Sequence, residues 1–66
     1  MANPFVNLPS YPLWEVPMNK VVSATPGPLQ ITEYVRAAGL GNAMDEARRL
    51  HPGYAPRANT HKVEIK

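Results

Sequence analysis

Cysteine is absent from this chain, and with it go two common staples of very small domains, disulfide bridges and thiolate metal sites. Histidine offers no substitute. His51 and His61 are the only two, ten residues apart, and no carboxylate cluster lies beside either, so neither a structural metal nor a cofactor is expected. Long apolar runs are missing too: nothing approaches the roughly 18 residues of a transmembrane helix. Pro4, Pro9, Pro12 and Pro17 break every stretch near the N-terminus that could serve as a signal peptide. Secretion by that route is not expected, and the chain is placed in a virion if it is viral and in the cytoplasm otherwise.

Reactive constellations are equally scarce. Ser10 and Ser23 are the only serines, and neither lies in a Gly-x-Ser-x-Gly turn. Four scattered glycines form no phosphate cradle. Glu15, Glu33, Asp45, Glu46 and Glu64 show no spacing that would set two carboxylates to acid–base work. The chain is therefore read as non-enzymatic, with no catalytic, cofactor-binding or metal-binding residues. Concentrated positive charge is lacking as well. Seven Lys and Arg against five Asp and Glu leave a formal charge of +2, and Lys20, Arg36, Arg48, Arg49, Arg57, Lys62 and Lys66 are dispersed along the chain. Without a basic stripe, nucleic acid is not the expected partner.

What the 66 residues do contain is proline, eight in all, and large apolar side chains. At this length one domain is the limit and a single core is marginal. With disulfides and metals excluded, assembly with a partner is the remaining source of stability. The chain divides into a proline-rich apolar arm over 1–28, a helix-Gly-helix clip over 29–51 and an extended tail over 52–66.

The arm carries Phe5, Val6, Leu8, Tyr11, Leu13, Trp14, Val16 and Met18 among four prolines. Pro9 and Pro17 share one strand parity and Pro4 and Pro12 the other, so one unbroken strand over this stretch would lack donors on both edges. Polyproline II is the extended form that remains. At its period of three, Phe5, Leu8, Tyr11 and Trp14 align on one face over about 28 Å, with Pro17 continuing the line. Leu13 stands beside them, and the stripe is read as a partner-binding surface. "PSYP" at 9–12 has the PxxP form, but no flanking Lys or Arg supports an SH3-type ligand.

Within the clip, Ile31, Tyr34, Val35 and Ala38 fall at i, i+3, i+4 and i+7, which predicts a helix over about 29–38 that ends at Gly39. A second helix over about 43–50 follows from Asn42 as N-cap, Asp45 at N3, Arg48 and Arg49 in the last turn, and Pro52 beyond. A helix-turn-helix reading fails on register, because Asp45 and Arg48 would fall where the second helix should be apolar. In the tail, Val63 and Ile65 alternate with Lys62, Glu64 and Lys66, which predicts a short strand pairing with 20–24 or with a partner's sheet.

The expected fold is therefore small and mostly irregular or α, with two short helices, an extended arm and tail, and no large independent core. The expected function is that of a non-enzymatic assembly subunit. It would dock Phe5, Leu8, Tyr11, Leu13, Trp14, Val63 and Ile65 on a larger protein, in many copies, in the manner of a phage capsid cement, minor capsid or connector-associated protein. Two alternatives are a small accessory subunit of a multisubunit enzyme or membrane complex, and a nucleic-acid-binding helix pair.

Overall fold

The computed structural model of the chain describes residues 4–63. Its first regular element is the strand β1, Leu13–Lys20, inside the segment read as a polyproline arm. Period two rules here: Trp14, Val16 and Met18 point to one face, and Leu13, Glu15, Pro17 and Asn19 to the other. Val16 and Met18 are fully buried. The strand β2, Gln30–Arg36, pairs antiparallel with β1 from Leu13↔Arg36 to Asn19↔Gln30. A helix, α1, follows over Leu40–Leu50. Two short strands close the fold, β3 at Tyr54–Pro56 and β4 at His61–Lys62. β3 pairs antiparallel with Met18–Lys20, and β4 pairs antiparallel with Trp14 and Glu15. β1 is thus the central strand, with β2 on one flank and β3 and β4 sharing the other.

How a central strand accommodates proline follows from which way each backbone group points. Lys20 N–H donates to Leu29 O and Ala37 N–H to Pro12 O, so even-numbered residues of β1 face β2 and odd-numbered ones face β3 and β4. Pro17 therefore aims its missing donor at the β3–β4 flank. That flank is broken where Pro17 lies: the chain turns between Arg57 and Thr60, two residues more than the register needs, and only Arg57 N–H reaches back to Pro17 O at 2.8 Å. Pro12 faces the β2 flank just before β1 begins. It cannot donate to Ala37 O, and the indole Nε1 of Trp14 donates to that carbonyl instead, at 3.0 Å. Pro17 thus faces a break in the ladder, and the one acceptor that Pro12 leaves open is served by a side chain.

The polyproline arm and the helix over 29–38 are thus corrected by an antiparallel hairpin. Ile31 and Val35 do face inward, but as alternate residues of β2, while Tyr34 points to the opposite, open face. Glu33 shares the inward side with them and meets His51 there, Nε2 to Oε2 at 2.6 Å. The second expected helix is present and starts earlier than 43. Gly39, in extended backbone at φ −157°, holds the N-cap position without a side-chain cap, so Asn42 and Asp45 lie inside the helix. The strand expected around Val63 pairs within its own chain, as β4 against 14–15 and not against 20–24, while it is β3, earlier in the tail, that pairs with 18–20. Ile65 lies outside the described residues.

α1 covers the face of the sheet that carries Val16, Met18 and Val35. Ala43 and Ala47, both fully buried, let the helix approach closely, and Val6, Ala37 and Tyr54 complete the core, with Trp14 and Ile31 packed at its margin. Val6 arrives by a single bridge to Ala37 on the outer side of β2: Asn7 N–H donates to Arg36 O, and Ala38 N–H to Phe5 O, both at 2.8 Å. Asn7 then takes φ +68°, a left-handed conformation that asparagine tolerates, and turns the chain away. Its side chain is fixed by Nδ2 donating to Glu46 Oε2 at 3.0 Å.

Candidate functional site

The helix leaves one face of the sheet open and both ends of the molecule apolar. At one end lie the start of β1, the end of β2 and the first turn of α1, and most of the residues assigned to partner binding gather there. Phe5 and Leu8 are about half exposed, at 53% and 46%. Tyr11 is half-buried and closes the N-terminal loop on itself, its N–H donating to Leu8 O and its hydroxyl to Pro4 O at 3.1 Å. Arg36 Nη1 donates to Tyr11 O at 3.0 Å and ties that loop to the end of β2. Leu13 and Val63 are cross-strand neighbours on the open face, joined by Val63 N–H to Leu13 O at 2.7 Å. Leu40, exposed at the start of α1, belongs to this end as well.

Trp14 is separated from that group. It lies on the helix-covered face, its indole committed to Ala37 O and its ring under the Lys62 ammonium, 5.6 Å from the centroid. The stripe of Phe5, Leu8, Tyr11 and Trp14 therefore does not form: the first two stay exposed, the third folds back, and the fourth joins the core margin. At the opposite end, Val21, Val22, Leu29 and Leu50 are exposed. None of these entered the sequence-based surface. The available signal was local: Val21, Val22 and Leu29 flank "TPGP", a loop that cannot bury its neighbours.

Across the open face the side chains are polar and stand in rows. Tyr34, Glu15 and His61 form one row over β2, β1 and β4. The Tyr34 hydroxyl donates to Glu15 Oε1 at 3.1 Å, and His61 Nε2 lies 3.5 Å from Glu15 Oε2. The hydrogen bond to the Glu15 carboxylate raises the Tyr34 phenol above its ordinary range, and the charge of that carboxylate adds to the effect. A shallow groove of about 300 Å³ lies beside this row, lined by Pro17, Met18, Gln30, Ile31, Thr32 and Arg57. It offers one charged side chain, Arg57, and one hydroxyl, Thr32, with no histidine or carboxylate among its lining residues. On the helix side, Glu46 is buried, and its two carboxylate oxygens accept from Arg49 Nε and Nη2, each at 2.7 Å. Those bonds pull the Glu46 carboxyl below its usual range against the opposing push of burial, and Asn7 adds to the pull.

Among the described residues no three His, Cys, Asp or Glu side chains come together as a metal site would need, and no helix is long and apolar enough to cross a membrane. The two histidines each face one glutamate instead and tie later elements to the β1–β2 hairpin. No family model matches the chain, and comparison with curated proteins and with solved structures found no match.

Proposed function

We propose that the protein is a small non-enzymatic assembly subunit that docks on a larger protein through the end of the molecule bearing Phe5, Leu8, Leu13, Leu40 and Val63. The observation that carries this reading is the surplus of exposed apolar surface over core. Met18 and Val16 are the largest fully buried side chains, while Phe5, Leu8, Val21, Val22, Leu29, Leu40 and Leu50 are all exposed. Three of these, Phe5, Leu8 and Leu40, lie at one end beside the half-buried Leu13 and Val63, and an apolar group of that kind is what a protein interface uses as its central contacts. The setting that suits such a subunit is a many-copy particle, and a phage virion accessory protein, whether cement, minor capsid or connector-associated, is the form proposed. The helix pair on which the nucleic-acid alternative was built is a strand and one helix, so the proposal does not draw on it.

The test is stoichiometry combined with mutation. Quantitative mass spectrometry of the native complex should find tens of copies or more per particle. One copy per enzyme protomer would overturn the virion setting in favour of an accessory subunit. The paired substitution Phe5→Ser and Leu8→Ser should leave the circular dichroism spectrum intact and remove the protein from the complex. Retention at the wild-type level would overturn docking through this end.

A further inference from the structure

We infer that the outer edge of β2 pairs with the same edge of a second copy of this chain, antiparallel, about a two-fold axis at Thr32. The alternation that points odd residues of β2 toward β1 turns the N–H and C=O groups of Gln30, Thr32, Tyr34 and Arg36 outward. This edge demonstrably takes an antiparallel strand, because residues 5–7 already occupy its far end through the Val6↔Ala37 bridge. Asn7 then diverts the chain, and among the described residues Gln30–Tyr34 has no strand neighbour on its outer side. The other edge of the sheet is blunted: β3 has three residues and ends in Pro56, a turn follows, and β4 has two. Short, interrupted, proline-bearing edges are how folds avoid pairing. β2 has no such interruption.

The extent of the open stretch sets the register. An axis at Glu33 would set two carboxylates face to face, which is unfavourable. An axis at Tyr34 would drive the second strand into Asn7, and an axis at Gln30 would shorten the overlap. Thr32 is the midpoint of the open stretch. There Thr32 meets Thr32 and exchanges two hydrogen bonds, and each Gln30 meets a Tyr34, the kind of self-complementary contact a two-fold axis requires. Ile31 then faces a Glu33 already held by its own His51. Tyr34 N–H, covered in the single chain by Glu33 Oε1 at 3.0 Å, is released to the second strand. The exposed side chains around this edge are covered as well. Leu29, the most exposed large apolar residue at 76%, falls across from Val35 of the other copy, one position from where Leu8 leaves the edge.

Sedimentation equilibrium on the full chain and three substitutions tests this. Wild type should show a monomer–dimer equilibrium. Thr32→Pro removes an outward N–H that β1 does not use, and should weaken the dimer roughly ten- to a hundredfold while leaving the circular dichroism spectrum unchanged. Thr32→Lys and Thr32→Glu, each alone, place like charges together on the axis and should weaken it about tenfold or more, whereas an equimolar mixture of the two should restore dimer. A wild type that stays monomeric at millimolar concentration overturns the inference and leaves the edge to a strand of another protein. Association of Thr32→Lys at the wild-type strength overturns it too, by placing the contact elsewhere.

Discussion

Trp14 does at one carbonyl what Pro12 cannot. Its Nε1–H fills the acceptor that the proline leaves open on Ala37, so Trp14→Phe should keep the packing and orphan that carbonyl. A loss of about 1–2 kcal/mol is expected in urea unfolding followed by circular dichroism. No loss would mean that water serves the site equally well. Glu46 is the second residue with a specific load. Because the folded chain holds this carboxyl below the ordinary 4.5, its contribution is fully present above the unfolded value and is lost as pH falls through the depressed folded one. Glu46→Gln should cost about 1–2 kcal/mol at neutral pH and flatten the stability profile below about pH 4.5, read by denaturant titration at stepped pH. An acid limb of unchanged steepness would assign acid sensitivity to another carboxylate. Neither role was visible in the sequence, since Asn7 and Glu46 are 39 positions apart and Trp14 and Ala37 are 23.

Among the elements, the helix from Leu40 was legible through its basic last turn and the proline beyond it, whereas both long strands were missed for reasons that can be named. In "QITEYVR" an inward glutamate broke the alternation of Ile31 and Val35, and an outward Tyr34 restored a helical spacing by accident. Glu33 can face inward because His51 meets it, a partner 18 residues away that no local pattern announces. β1 was rejected because the prolines were weighed as though one strand ran from 4 to 18. It begins only at Leu13, and its one internal proline faces a gap. Of the seven residues assigned to partner binding, Phe5, Leu8, Tyr11, Leu13 and Val63 share one end, where β1 starts and the N-terminal loop folds back. The turn from α1 into β3 supplies a test at this scale. Gly53 sits at φ +91°, its carbonyl accepts from Val21 and Val22, and a Cβ there would lie 2.0 Å from Thr25 Oγ1. Gly53→Ala should destabilise by about 2 kcal/mol or more in thermal melts, and the same change made in a Thr25→Gly background, where Oγ1, Cγ2 and Cβ are all gone, should recover only the steric part, leaving the backbone cost. Full recovery would show that the positive φ carries no strain.

For the molecule as a whole, a 66-residue domain has a total stability on the order of 3–10 kcal/mol. Met18 and Val16 are the two largest fully buried side chains among the described residues, and Met18 is the larger. Met18→Ala should therefore cost about 2–5 kcal/mol and leave much of the population unfolded at room temperature, as read by amide proton dispersion. A well-dispersed spectrum with an unchanged melting point would move the centre of the core elsewhere. Every other strand pairs with β1, but on very different schedules. The β1–β2 hairpin is local, while β4 reaches β1 across more than forty residues of sequence, and contacts of such separation form late. During folding the hairpin must wait with one edge of β1 bare, a template on which any neighbouring chain could polymerise. Pro17 stands in the middle of that edge with no N–H to offer. The residue that made the segment look unfit to be a strand is thus what lets the strand survive the wait, a gatekeeper whose work is over once β3 and β4 arrive.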